Sequence, residues 1–326
     1  MSRLEERLDA LYAIGATRIG YSPEEDAAHE LLCAWLADAG LEVEVDRAGS
    51  TFGRRGDGHV WSGSHLDTVP NGGRFDGALG VVAALEVAER LPELPLTVVA
   101  FRDEERSYTG SRACVADGRL PQAYVELHVE QGPVLERSDR ALGIVTGIVG
   151  HARGELVFVG RADHAGTTPM DAREDALVKA AEFVLDANAA AGPGTVATVG
   201  YLHVEPNAPN VVPARVVLSV DVRAPTSYEL DELVAAIAYE PDHRIEPVTW
   251  GGAPLDALRA ELPDAPELAS GAGHDAGILA AAGVPTAMLF VRSRNGGVSH
   301  SPDEYSSPED IELAVDVLAR VLGRIA

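Results

Sequence analysis

Cysteine and lysine are nearly missing from this 326-residue chain. Its two cysteines, Cys33 and Cys114, stand in apolar helical contexts without ligand or redox spacing. They exclude a disulfide framework and read as reduced core thiols of a cytoplasmic protein. Lys179 is the only lysine, and 26 basic residues face 51 acidic ones, a formal charge of −25. That balance argues against nucleic acid and anionic membranes as partners. A small anionic substrate stays open, because screening over about 8 Å leaves local arginine or metal charge in control. No apolar run approaches the roughly 18–20 residues that span a bilayer. The opening MSRLEERLDALYAIG is expected to be an amphipathic charged helix and not a signal peptide. No internal repeat or low-complexity segment stands out.

What the chain does have is ordinary globular material, 46% hydrophobic and 24% charged, enough for one large or two modest domains. Ser22-Pro23-Glu24-Glu25 predicts a capping box opening a helix that stops at Gly40. A strand is expected at 41–46, another at 59–63, then a helix over roughly 77–91. Buried strands are expected at 96–101, 123–129 and 284–291. Ser307-Pro308 caps a last helix with apolar residues at Ile311, Val315, Leu318, Leu322 and Ile325. Strands alternating with helices indicate an α/β sheet.

The middle of the chain differs. Strand 154–160, helix 171–188, strands 195–204 and 211–224, helix 228–238 and strand 244–250 give β-α-β-β-α-β, the ferredoxin-like order. The expected organisation is therefore an inserted domain, residues 147–252, between two pieces of one α/β domain, 1–146 and 253–326.

In an open α/β sheet, ligands bind outside the carboxyl ends of the strands. Four polar clusters fall at such ends: His65 with Asp67, Glu104-Glu105, His128, and His300. Asp76 lies just before a helix. Imidazole and carboxylate groups scattered in sequence can converge there to hold a metal. Taken singly, each has a plainer reading. His65 alone is more often structural, Asp76 beside Gly77 is a turn residue, and Glu104-Glu105 is a solvated loop served by Arg102 and Arg106. Their joint placement favours a site.

The motifs HLDTVPNGGRFDGALG, DEE after an apolar strand, ELHVEQGPVLE, GRADHAGTTPM, PNAPNVVP followed by DVR, SGAGHDA and GVSHSPDEY occur in that order. Together they resemble the amidohydrolase branch of the M20 metallopeptidase superfamily. That branch comprises N-carbamoyl-L-amino-acid hydrolases, allantoate amidohydrolases and β-ureidopropionases. The resemblance implies a di-metal catalytic α/β domain with an inserted ferredoxin-like lid that also forms a homodimer. It implies Asp76 bridging two divalent metals, with His65 and His128 completing one coordination sphere and Glu105 and His300 the other. Zinc, manganese, cobalt and nickel all suit such ligands.

By the same resemblance, Asp67 orients His65, and Glu104 passes a proton from water to the departing nitrogen. Asp103 has no implied role and reads as a solvated strand-end residue. Arg223 would hold a substrate carboxylate, with Asn210, Gln131 and His274 as further contacts. His164, from the dimer partner, would polarise the scissile carbonyl. Without the resemblance, Arg223 reads as a strand-surface partner of Asp221, and His164 as a loop residue capping the helix near Asp171. His29, His59, His151, His203 and His243 match nothing.

The expected activity is hydrolysis of a ureido C–N bond in an N-carbamoyl-L-amino acid, allantoate or N-carbamoyl-β-alanine. The alternatives are a peptidase or N-acyl amino acid deacylase, and an inert relative that only binds metal or a small molecule. His128 separates the ureido reading from the peptidase or deacylase one, since in the resemblance the peptidase branches generally carry a carboxylate there. The chain departs from the pattern after Glu105, where Arg106 to Thr109 bridge directly to Gly110-Ser111-Arg112, and in an abbreviated segment before Ser270. These departures touch the substrate pocket and leave the five implied ligands in place.

Overall fold

The computed structural model describes residues 2–326. It forms two compact units, one from the residues up to Gly147 together with Thr249–Ala326, the other Ile148–Val248. The first begins with two helices, α1 (Arg3–Ile14) capped by Ser2 and α2 (Pro23–Asp38) capped by Ser22. Only half of the expected capping box at Ser22 forms. Its hydroxyl accepts the Glu25 N–H at 3.3 Å, but the Glu25 carboxylate turns inward instead of back. It takes the N–H groups of Tyr21 and Asp103, the latter at 3.1 Å, and Arg102 Nη2 at 2.8 Å. An acid that looks like a helix cap therefore ties α2 to the DEE segment.

The chain continues through β1 (Glu42–Val45), β2 (Thr51–Arg54), β3 (Val60–His65), α3 (Ala78–Arg90) and β4 (Thr97–Phe101). Then come the short α4 (Glu104–Ser107), α5 (Thr109–Ala116), β5 (Ala123–Val129), α6 (Val134–Arg137) and β6 (Leu142–Ile148). The second unit holds β7 (Gly150–Val159), α7 (Ala176–Ala190), β8 (Val196–Glu205), β9 (Arg215–Ala224), α8 (Ser227–Ile237) and β10 (His243–Ile245). Its sheet runs β10-β7-β9-β8, antiparallel throughout, and its own core joins Val216, Leu218, Val220 and Val222 of β9 to Ala176 and Ala180 of α7 and Leu230 of α8.

Two boundaries in that unit move for identifiable reasons. The helix expected from 171 begins at Ala176, because Asp175 accepts from the N–H groups of Leu177 and Val178 and so caps it there. The strand expected over 244–250 breaks at Pro247, which has no N–H, into β10 and β11 (Val248–Thr249).

The return segment adds α9 (Ala253–Glu261), β12 (Glu267–Ser270), α10 (Asp275–Ala281), β13 (Thr286–Val291) and α11 (Pro308–Ile325). The nine-stranded sheet runs β1-β2-β4-β3-β5-β13-β6-β11, with β12 beside β6. Its centre, β4-β3-β5-β13, is parallel, and β2 and β6 pair antiparallel to either flank. Chain order reverses around β3, since β4 lies on one side and β5 on the other, so a topological switch point sits at the carboxyl end of β3. Helix α3 is buried from Ala78 to Ala88, and α11 buries Ile311, Val315, Leu318 and Leu322, each contributing about 1.5–3 kcal/mol. Among the described residues no helix is long and apolar enough to cross a membrane.

Candidate active site

The switch point is where the five implied ligands meet. His65 ends β3, and His128 stands one residue before the end of β5. Asp76 sits just before α3, Glu105 lies in α4 directly after β4, and His300 lies in the loop after β13. One Asp76 oxygen, Oδ1, is 3.2 Å from His128 Nε2 and 3.8 Å from His65 Nε2. The other, Oδ2, is 3.2 Å from His300 Nε2, which is 3.4 Å from Glu105 Oε2. A single carboxylate thus faces two separate groups. Gly77 makes room for this, since a methyl there would stand 2.4 Å from the His65 ring.

The second ring nitrogen of both buried histidines among the five is engaged. His128 Nδ1 bonds the Val129 carbonyl at 2.9 Å. His65 Nδ1 is 3.1 Å from the Asp67 carbonyl and 3.3 Å from Asp67 Oδ1. The Asp67 carboxylate has a further task that its position in sequence did not announce. It accepts the backbone N–H groups of Glu104 and Glu105, each at 3.1 Å, and so sets the direction in which those acids leave the strand.

Glu104 is buried, and its one ion-pair partner within 4 Å among the described residues is His65, at 3.8 Å. Burial, reinforced by the charges of Asp275 and Glu105, pushes its carboxyl well above the usual range. Burial and then Asp76 push Glu105 up to about 7. Burial alone would raise Asp76 as well, but His128 and His300 hold it well below the ordinary value. A buried excess of carboxyl groups that shift one another in this way is the electrostatic signature of a place for cations.

The expectation for Asp103 is corrected. It is buried, not solvated, in the left-handed region at φ 55°, where Arg106 Nε bonds it at 2.9 Å and Thr109 Oγ1 at 2.6 Å. Arg102 is spent on Glu25 and Asp26 and does not compensate Glu104. Left-handed non-glycine residues gather here: Asp103, Tyr108, Gln131 and His300. Each such conformation costs on the order of 1–3 kcal/mol, and such residues concentrate at functional sites.

Gln131 Nε2 donates to Asp76 Oδ2 at 2.9 Å, and His274, buried against His128 with ring centroids 4.6 Å apart, bonds Ser270 Oγ at 2.8 Å. Both line a cavity of about 160 Å3 together with the five implied ligands, Glu104, Tyr108, Ala272 and Gly273. A larger cleft of about 380 Å3, lined by Arg54, His59 and Arg119 among others, opens at the amino ends of the same strands and gathers none of these groups. In the second unit, the His164 and Asn210 loops join through Ala165 N–H to Asn210 O at 3.0 Å and a bridge between His164 and Val211. His164 Nδ1 accepts from Gly166 N–H at 3.0 Å, so it does not cap the following helix. Arg223 lies on β9 with Nε 3.1 Å from Asp221 Oδ1.

Sequence reasoning missed Glu304. It is buried and accepts from Phe75 N at 2.7 Å, Asp76 N at 3.1 Å and Ser299 Oγ at 2.8 Å, and Ser299 Oγ also lies 3.3 Å from Asp76 Oδ2. It was legible only as one acid in a turn four residues after His300. The free cysteines are Cys114, buried as expected, and Cys33, which is partly exposed.

The donor set fits divalent cations. His65, Asp76 and His128 present ligand atoms within 4.8 Å of one another, as do Asp76, Glu105 and His300. His128 Nε2 and Glu105 Oε1 are buried without a hydrogen-bond partner, atoms that a cation would satisfy. An α/β sheet carrying two cation-competent His/carboxylate groups around one shared Asp has the constitution of a metal-dependent hydrolase. The chain belongs to the peptidase family M20/M25/M40, whose family model matches residues 61–324.

Among curated proteins it is 36% identical to the N-carbamoyl-L-amino acid amidohydrolase of Geobacillus stearothermophilus, over 96% of this chain and 94% of that one. It is 33% identical to the allantoate amidohydrolase of Bacillus subtilis (strain 168), over 96% and 93%. Among solved structures it is similar to a hydantoinase/carbamoylase-family amidase from Burkholderia multivorans, with a TM-score of 0.88 and 32% identity over 98% and 96% of the two chains.

Proposed function

We propose that this protein hydrolyses the ureido C–N bond of an N-carbamoyl-L-amino acid or a related ureido acid such as allantoate or N-carbamoyl-β-alanine. The observation that carries the reading is Asp76, whose two oxygens face His65 with His128 on one side and His300 with Glu105 on the other. These five residues would hold two divalent cations, zinc, manganese, cobalt or nickel. Bound there, the cations would polarise the substrate carbonyl and acidify the attacking water.

Glu104 would take a proton from that water at its carboxylate and return it to the departing nitrogen. Its burial, which favours the protonated form, suits the second half of that task. Asp67 would keep Glu104 and Glu105 pointed apart through the two N–H bonds it accepts. Arg223 would clamp the substrate carboxylate, with Asn210, Gln131 and His274 as further contacts. The second unit would act as lid and dimerisation domain, and His164 would reach the scissile carbonyl from the partner subunit. The relatives named for ureido substrates, and a histidine at 128 in place of a carboxylate, favour this chemistry over a peptidase or N-acyl amino acid deacylase.

The test is product release by metal-reconstituted enzyme from N-carbamoyl-L-amino acids, allantoate, N-carbamoyl-β-alanine, N-acetyl amino acids and dipeptides. Turnover confined to the last two would replace this reading with the deacylase or peptidase one. Glu104→Gln should keep its cations while turnover falls by about 10²–10⁴-fold. Undiminished turnover in that variant would remove Glu104 from its role.

A further inference from the structure

We infer that Tyr108 determines which acyl head group the cavity accepts, admitting a carbamoyl NH2 and excluding longer chains. The inference rests on the ureido-hydrolase reading and adds the element that would select the head group. Among the described residues Tyr108 is the one aromatic-ring residue of the Phe/Tyr/Trp kind lining the 160 Å3 cavity, and it follows Glu104 and Glu105 by one turn of chain. Its left-handed backbone, φ 53°, and the bond from its N–H to the Glu104 carbonyl at 3.3 Å fix where the ring leaves the loop. The ring carries Arg112 at 5.8 Å.

The hydroxyl lies so close to Gly273 that a methyl there would stand 1.9 Å from it. Tyr108 and Gly273 therefore form one wall, in which a side chain at 273 would push the phenol aside. Among the described residues the phenol oxygen makes no hydrogen bond, and Tyr108 shares the cavity with charged and polar side chains. Its acceptor and donor are free for a ligand.

Size and chemistry then point the same way. Drug-sized ligand sites measure roughly 300–1,000 Å3 and a cavity of about 150 Å3 holds a benzene-sized molecule, so 160 Å3 takes a scissile carbonyl with a short substituent. The substituent left on that carbonyl must lie beside Glu104 and hence beside this wall. A carbamoyl NH2 donates to the phenol oxygen. An acetyl methyl, of nearly the same shape, does not, and a butyryl chain collides with the ring.

The experiment compares kcat/KM for the N-carbamoyl, N-acetyl and N-butyryl derivatives of the amino acid that wild type turns over fastest. Tyr108→Phe should lower the carbamoyl-to-acetyl ratio about tenfold while the acetyl value holds. Tyr108→Gly, which suits the left-handed backbone, should raise the butyryl value at least about tenfold. Cation content and unfolding midpoint, matched to wild type, show that the site is intact. Equal losses on carbamoyl and acetyl substrates in the Phe variant overturn the hydrogen bond. Unchanged exclusion of butyryl in the Gly variant overturns the wall. A wild type active only on acyl compounds would sink the ureido reading while the butyryl comparison still judged the wall, and one inert to every compound sinks both.

Discussion

Replacing Glu304 is expected to disturb a cation site that Glu304 itself does not line. Its carboxylate accepts the backbone N–H groups of Phe75 and Asp76 on one oxygen and the Ser299 hydroxyl on the other. It sits so tightly that a methyl on Gly73 would stand 2.1 Å from it. Glu304→Ala strands two buried N–H groups, each costing about 1–3 kcal/mol, and leaves the Ser299 hydroxyl only Asp76, for a total of roughly 2–6 kcal/mol. That is a large share of a typical stability of about 5–15 kcal/mol. Glu304→Gln behaves differently. Its one remaining carbonyl oxygen can serve both N–H groups and its NH2 can donate to Ser299, so the loss should stay near 1 kcal/mol.

The assays are urea unfolding of the metal-free protein and calorimetric titration with manganese. The Ala variant should unfold at markedly lower urea and bind manganese at least about tenfold more weakly, because the Asp76 backbone is no longer held. An Ala variant within about 0.5 kcal/mol of wild type, or a Gln variant as damaged as the Ala one, refutes the argument from those three bonds.

Because one carboxylate serves both groups, His300→Ala should retain about half the wild-type cation content by elemental analysis and Asp76→Asn nearly none; similar contents in the two variants would contradict a shared ligand. Burial, aided by Asp46, pushes the Cys114 thiol up to about 12. Very little thiolate therefore exists at pH 8, and alkylation of Cys114 should wait for unfolding; prompt native labelling would show the thiol is not so enclosed. With a net charge of −25, the metal-free protein should melt at higher temperature as sodium chloride is raised to about 0.5 M. A midpoint that falls would mean that specific ion pairs outweigh the general repulsion.

The elements that sequence located best are those whose signal is local. A run of apolar and β-branched residues places β4 at Thr97–Phe101, and the apolar stripe of α11 buries the side it predicts. The metal-competent residues were findable because they follow strands, and strand ends in a parallel sheet share one edge. Buried acids were not. Glu25 looked like a helix cap, Asp103 like a solvated strand-end residue and Glu304 like a loop acid, because each is buried by a segment far away in the chain. Glu25 meets Asp103 across 78 residues, and Glu304 meets Phe75 across 229. No spacing rule within a window can see such a partner. Tyr108 escaped for another reason, since its seat depends on a glycine in a different loop.

β13 enters the sheet between β5 and β6, although the chain makes β5 and β6 one after the other and reaches β13 only at residue 286. During synthesis, which delivers the amino-terminal portion first, the two earlier strands must wait with facing edges bare until Thr286–Val291 has been made and released from the ribosome. Bare edges invite pairing with other chains. His300 follows β13, so the Asp76, Glu105 and His300 group can assemble only after that strand has been made. A nascent product halted before β13 would be edge-exposed and would hold the His65, Asp76 and His128 group without its neighbour.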